Sequence, residues 1–296
     1  MNEISIAFVT MVRDEPYFLP LWINHNSKIV PKEQLYILVD GFDQILPPEA
    51  QGCQILHLPR DPNPDSWDHR RWNILTKFSH SLLGRFSVVV TNDVDELLIA
   101  DPRSPRSIQE ILLSAVELRV LKAFAIEVIH RIDLEPAPID WKKPILRQRS
   151  HIRPNTIYSK CCVIAEPVIW NRGGHCSDHP VFNMPNDLFL VHLRFCDHDY
   201  LVERQSSRRS IVEQAQNGKL SRVAGSGWHV TGKGISQFLQ EVAQAGPPEE
   251  ADCTFGFLRR RMRKTWHLNE KGGFWTHLSV ARNTTFKLPE PFLDLF

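Results

Sequence analysis

The chain has no apolar run long enough to span a membrane, and no basic stretch followed by an apolar core at its start, where MNEISIAFVTMVRDE passes straight into a strand pattern. It also lacks an excess of either charge: 35 Lys and Arg against 34 Asp and Glu leave +1. That balance argues against nucleic acid or an anionic membrane as the main partner, and a soluble cytoplasmic protein is the expectation. Cysteine is sparse, six in 296 residues. The adjacent Cys161-Cys162 is a poor disulfide pair, so free thiols are expected rather than a disulfide framework. Repeats and low-complexity tracts are missing as well. The length suffices to bury a full core as one large domain, or as a domain with an appendage.

What the chain does have is an alternation of strand and helix patterns. Residues 4–12 are apolar and β-rich and break at Arg13-Asp14-Glu15-Pro16. Asp14 is a candidate cap for a helix whose apolar face is Phe18, Leu19, Trp22 and Ile23, with Pro20 in its first turn. Residues 35–39 and 54–58 are short buried strands. Residues 67–83 have helical period, with Trp67, Ile74, Leu75, Phe78 and Leu82 on one face and Ser66 or Asp65 as N-cap. Such spacing implies βαβ units and a mostly parallel sheet. Further on, 107–118 reads as a helix and 120–129 as a strand. The Pro-, Arg- and Lys-rich segment 133–155 reads as a loop excursion. CCVIAE and 188–195 read as strands, and Asp197 as the cap of a helix running to about residue 217. Beyond 218 the pattern weakens, with helices expected near 235–245 and 255–266 and an apolar, Pro-punctuated end that packs back on the body.

The densest chemistry lies in FSVVVTNDVDELLIAD, residues 86–101. A buried strand ends in Thr91-Asn92-Asp93-Val94-Asp95-Glu96, which puts three carboxylates into four positions. Their mutual repulsion destabilises the fold unless a cation sits among them. In open α/β sheets ligands bind at the carboxyl ends of strands. Hard divalent ions take carboxylate oxygens, waters and phosphate oxygens, so Asp93 and Asp95 read as a Mn²⁺ or Mg²⁺ site that grips a phosphate. His192, central in an apolar strand, is the candidate third ligand. Arg70, Arg71, Asn73 and Lys77 lie on the preceding helix, where arginine suits a diphosphate. Lys160 could reach a phosphate too. The cluster His175, Cys176, Asp178 and His179 follows Gly173-Gly174, and with Cys161-Cys162 it matches no standard zinc spacing.

These residues resemble a known family. VTMVRDEPYFLPLWINH is similar to the opening of GT-A glycosyltransferases of the family 2-like and family 92-like group, and VVVTNDVDELLI resembles that group's DxDE strand end. Lys160, His175 and His192 fall in the same order. Arg13-Asp14 replaces the commoner Lys-Asn, and Leu97 the usual Phe. The resemblance covers about residues 4–200. It implies an α/β GT-A fold, Rossmann-like with a mostly parallel central sheet flanked by helices, over 1–200; the pattern of the remainder, 201–296, leads us to expect a partly helical C-terminal extension packing on it. It further implies a nucleotide-diphosphate sugar donor, UDP-sugar first among them, and a glycan or other hydroxyl acceptor. Thr10, Arg13 and Glu15 would line the nucleoside, and Asp40 the base or ribose. Asp93 would reach ribose or metal, and Asp95 the metal; Arg71, Lys77 and Lys160 are the candidates to meet the phosphates. Inverting transfer needs a group to take the acceptor proton, with Asp178 the candidate and His175 and His179 its rivals. A carbohydrate-binding protein of the same fold without turnover is one alternative. A DxD phosphohydrolase is another, disfavoured because that motif belongs on a first strand.

Overall fold

The first strand is apolar on both faces, and that fixes its place. β1 (Ile6–Val12) is buried along its whole length and lies inside a sheet with helices on its flanks. In the computed structural model, which describes residues 5–61, 66–213 and 230–296, β1 pairs in parallel with β2 (Leu35–Asp40) on one side. β2 pairs in parallel with β3 (Gln54–Leu58), and β4 (Val88–Thr91) runs parallel to β1 on its other side. The connecting helices are α1 (Phe18–Asn26) and α2 (Trp67–Leu82).

After β4 the chain turns at Asn92–Asp95 into β5 (Glu96–Ala100) and changes sheets. Residues 107–118 form two short helices that break at Ser114: α3 (Ile108–Leu113), opened by a Ser107–Glu110 capping box, and α4 (Ala115–Leu118). The expected strand over 120–129 is also two. β6 (Val120–Leu121) closes the first sheet, and β7 (Phe124–Ile129) belongs to the second. At the break, Lys122 N–H donates to Asn183 O and Ala123 N–H to Lys160 O, which takes the backbone out of one ladder and into the next.

Residues 133–144 are irregular, as the loop expectation has it, but 145–154 are not: they form α5 (Ile145–Gln148) and β8 (His151–Pro154), with Arg149, Ile152 and Arg153 buried. The composition misleads because these arginines have interior partners: Arg149 donates to Cys196 O and Ala137 O, and Arg153 pairs with Glu127. β9 (Val163–Ile164) runs antiparallel between β4 and β6, so the first sheet is β3-β2-β1-β4-β9-β6.

β10 (Leu188–Phe195) lies between β5, antiparallel, and β7, parallel. Asp197 caps α6 (His198–Glu213) by accepting from Tyr200 N–H at 2.9 Å; the expected continuation to 217 lies outside the described residues. α7 (Gly232–Gln244) and α8 (Gly256–Lys264) fall where the pattern places them. The C-terminal segment then supplies three small strands besides β11 (Glu249–Glu250). β12 (His267–Asn269) and β13 (Phe274–Thr276) form a hairpin, and β14 (Phe286–Lys287) pairs with β8. The second sheet is therefore β11-β14-β8-β7-β10-β5. Phe292 and Phe296 pack into the main core.

The protein is thus a mixed α/β fold of two six-stranded sheets, the first mostly parallel, flanked by helices, in keeping with the Rossmann-like expectation. Among the described residues no helix is long and apolar enough to cross a membrane. Three local expectations fail. α1 starts at Phe18 without a side-chain cap, and Asp14 instead sits at φ +49°. Ser66 precedes α2 at φ +58° without capping it, while Asp65 lies outside the described residues. The buried face of α2 is Trp72, Leu75, Thr76, Ser79 and Leu82, and Ile74 faces solvent.

Candidate active site

A cavity of about 1400 Å³ opens at the carboxyl ends of β1, β2 and β4. Its floor is the turn after β4, which the chain builds with its own hydrogen bonds. Glu96 N–H donates to Asp93 O at 3.0 Å, and Asp93 N–H to the Glu96 carboxylate at 3.1 Å. The buried Asn92 side chain spans the turn, donating to Glu96 O. These bonds hold the carboxylates in place before any ligand arrives.

Asp93 is saturated. One of its oxygens pairs with Arg71, and the other lies 2.7 Å from Lys160 Nζ. Lys160 also reaches Glu96 at 2.8 Å and is itself buried behind the floor. Burial works against the charge on Asp93, but Arg71 and Lys160 outweigh it and hold its pKa far below the carboxylate range. Burial pushes Glu96 upward, and Lys160 offsets this only in part, so Glu96 lies nearer to protonation than Asp93. Both cations lie over Trp72, Arg71 at 5.6 Å and Lys160 at 5.2 Å from its ring. Gly174 permits this packing: at φ +66°, a Cβ there would fall 2.3 Å from the Trp72 ring.

Asp95 has different neighbours. Antiparallel pairing aligns Glu96 with His192, and Leu193 N–H donates to Asp95 O at 2.8 Å. This brings Asp95 Oδ2 to 3.8 Å from His192 Nε2. The other ring nitrogen of His192 lies 3.2 Å from Glu127, whose second oxygen holds Arg153. Strand register explains the chain of contacts, because Glu96, His192, Glu127 and Arg153 are successive partners across β5, β10, β7 and β8. Burial lowers the pKa of His192, but the Glu127 hydrogen bond and the charge of Asp95 outweigh it, and the net shift is upward.

A histidine oriented by a carboxylate on one nitrogen, with a second carboxylate near the other, is a donor pair suited to Mn²⁺ or Mg²⁺ when phosphate oxygens and water complete the shell. Asp95 and His192 fit that role. Asp93, with a cation on each oxygen, does not fit as the third donor, and among the described residues no group of three or more His, Cys, Asp or Glu is arranged to hold a metal.

The other expected residues divide. Arg13, Glu15, Asp40 and His175 line the cavity with Arg71, Asp93, Asp95 and His192. Arg13 is turned onto Asp43, with contacts at 2.6 and 2.8 Å, and donates to Asp40 O. Glu15 accepts from Tyr200 Oη at 2.6 Å and pairs with Arg204; burial outweighs both and raises its pKa. Asp40 is also raised by burial, against Arg13. Burial holds the His175 imidazole down to about 3, so it is neutral at pH 7, and its Nδ1 is buried without a partner.

Seven residues fall outside the lining, Arg70, Asn73 and His179 among them. Thr10 is buried in β1, Lys77 is exposed on α2, Lys160 stands behind the floor, and Asp178 is exposed and accepts from Ile169 N–H. Sequence reasoning missed Asp68, Glu127, Arg153, Arg194, Arg204 and Arg208, and also the hairpin residues Asn269, Phe274 and Thr276 that wall one side. Two signals for them existed. Glu127 interrupts an apolar strand, and Arg194 shares a strand face with His192 two residues away.

No protein-family model matches the chain, and no curated protein matches it. Among solved structures, the mannose-1-phosphate geranyltransferase of Thermus thermophilus aligns at 11% identity and a TM-score of 0.25, over 74% of this chain and 67% of that one. A likeness that slight does not establish a relationship.

Proposed function

We propose that the protein is a glycosyltransferase that moves a sugar from a nucleotide-diphosphate donor, a UDP-sugar first among candidates, to an acceptor hydroxyl with inversion. The observation that carries this reading is the pairing of Asp95 with His192 on the floor of a large, charge-lined cavity at the ends of parallel strands. In this reading Asp95 and His192 would hold Mn²⁺ or Mg²⁺, and the ion would supply Lewis-acid neutralisation of a diphosphate leaving group. Asp40, at the end of β2, offers its carboxylate to the ribose hydroxyls or base amines, and Glu15, held by Tyr200 and Arg204, anchors the neighbouring wall. Asp93 fixes the turn through Arg71 and Lys160 and presents the cavity with a balanced pair rather than a bare charge.

Arg194 and Arg208 extend positive charge to the opposite wall. Burial and the neighbouring Arg194 draw Arg208 down to about 10, which leaves it cationic at pH 7. Of the candidate bases, His175 is the one that lines the cavity. A bound diphosphate places negative charge nearby and raises the proton affinity of an imidazole, so His175 takes the acceptor proton only in the loaded site. A phosphohydrolase reading is disfavoured because Asp93 has no oxygen clear of a cation with which to attack phosphorus.

Calorimetric titration with UDP, GDP and CDP, with and without Mn²⁺, tests this reading, followed by an assay for donor hydrolysis or transfer. The expected result is Mn²⁺-dependent binding of one nucleotide and slow release of sugar. Absence of binding by all three would overturn the reading. Binding without any turnover would favour the carbohydrate-binding alternative.

A further inference from the structure

A second cleft, of about 820 Å³, shares no lining residue with the strand-end cavity. Five arginines and three aspartates line it. Two of the arginines are neutralised in place: Arg103 pairs with Asp101 at 2.7 Å, and Arg106 with Asp187 at 2.5 Å. The third carboxylate, Asp252, accepts from Thr254. Arg259, Arg260 and Arg263, all on α8, make no ion pair among the described residues, and five guanidinium charges against three carboxylates leave an excess of two around one concave surface.

Arg259 sharpens the observation, because it is buried. Only 7% of it is exposed, and it packs over the Phe124 and Phe189 rings at 4.4 and 5.0 Å. Its Nε and Nη1 donate to Thr254 O and Pro185 O, while Nη2 is buried with no partner. A buried charge normally comes paired, and a buried donor normally finds an acceptor. Burial draws this guanidinium down to about 10, with Asp187 and Asp101 offsetting in part, so it stays charged at neutral pH. The first residue of α8, Gly256, lines the same cleft and points the positive end of the helix dipole there.

We propose that this cleft binds a phosphate-bearing ligand through Arg259, Arg260 and Arg263. Planar guanidinium forks match the geometry of phosphate oxygens, and a dianion offsets more of the excess charge than a single carboxylate does. Arg260 and Arg263 are exposed at the mouth, and Arg259 supplies charge from the buried side. The ligand is either a soluble phosphate compound or the headgroup of an anionic lipid.

The test uses the full chain and two probes, inorganic pyrophosphate by calorimetry and sedimentation with vesicles. The vesicles are phosphatidylcholine alone or phosphatidylcholine mixed with phosphatidylglycerol. Arg260→Ala/Arg263→Ala changes exposed side chains and is expected to keep the wild-type melting temperature. It should weaken pyrophosphate binding at least about tenfold, roughly the loss of one charged hydrogen bond. Arg259→Lys keeps the buried charge without the fork and should weaken binding less. Retention on anionic vesicles that the double variant loses assigns the phosphate to a lipid; pyrophosphate binding without vesicle retention assigns it to a soluble compound. Equal binding by wild type and double variant, or no binding of either probe, overturns the proposal. Pyrophosphate also suits the proposed diphosphate site, so it is titrated with EDTA present and only the binding lost in Arg260→Ala/Arg263→Ala is assigned to this cleft, which keeps failure here separate from failure of the glycosyltransferase reading.

Discussion

Asp93 and Asp95 leave the same strand end two residues apart and meet opposite surroundings. Asp93 points back to the first sheet, where Arg71 and the buried Lys160 take both of its oxygens. Asp95 points to the second sheet, where among the described residues its side chain's nearest charged partner is His192 at 3.8 Å, beyond hydrogen-bonding distance. One side of the turn is therefore closed by the protein itself, and the other is left for something to bridge. A motif of two acidic residues need not act as a unit: the first can be framework while the second meets the ligand.

The strongest way to break that contrast is to remove the framework cation. Lys160→Met leaves Asp93 and Glu96 buried and short of a partner, and urea unfolding should show a loss of about 3–5 kcal/mol. Adding Glu96→Gln to that variant should recover part of it, because one buried charge goes with its partner. A loss under about 1 kcal/mol for Lys160→Met would mean that the floor does not depend on the ion pairs.

Acid sets a background for such measurements and makes the next largest effect. His25 is buried beside Leu98 O, and burial lowers its pKa to about 4 against an ordinary value of about 6.5. Below pH 6.5 the unfolded chain binds a proton that folded His25 refuses. Stability present above that pH therefore falls by about 1.4 kcal/mol per unit until the pH nears 4. Unfolding curves across pH 7 to 4 should fall at least this steeply, because burial lowers His175 and His277 as well, and His25→Gln should reduce the slope by one proton. An unchanged slope in His25→Gln would assign the acid sensitivity elsewhere, such as to the framework carboxylates.

A direct stability comparison of the two aspartates comes next. Asp93→Asn should cost about 2–3 kcal/mol, the scale of lost hydrogen bonds to a charged group, whereas Asp95→Asn should stay within about 0.5 kcal/mol. Smallest of all are Lys77→Ala and Asp178→Asn, both exposed and outside the cavity lining. Each should leave nucleotide affinity and sugar release within about twofold, well under 1 kcal/mol.

Much of the first sheet was legible in the sequence, because strands buried on both faces carry continuous apolar runs, and β2 lies within a residue of its expected bounds; β3 falls on its expected residues but is an edge strand with no residue buried, not the buried strand its apolar pattern suggests. β10 and the acidic turn were legible for the same reason. The second sheet was harder to read. Its polar row of His192, Glu127 and Arg153 places charge inside apolar strands, and β8 lay within a segment whose arginines look like loop composition until their partners are known. Long-range pairing decides such residues, and local period does not carry it. The same limit applied to the site. Arg71, Glu15 and His175 reach the cavity from strand-end and helix positions that pattern can suggest, whereas the occupancy of Asp93 by Lys160 depends on a contact 67 residues away.

The most direct test of the division between the two aspartates is the Mn²⁺ dependence of UDP binding in wild type, Asp93→Asn and Asp95→Asn, with EDTA as the metal-free reference. The expected result is that Asp95→Asn loses the gain in affinity that Mn²⁺ gives the wild type, while Asp93→Asn, though less stable, keeps it at a temperature where it is folded. The opposite result, with the gain lost in Asp93→Asn and kept in Asp95→Asn, would contradict the assignment of Asp93 to the framework and of Asp95 to the ligand.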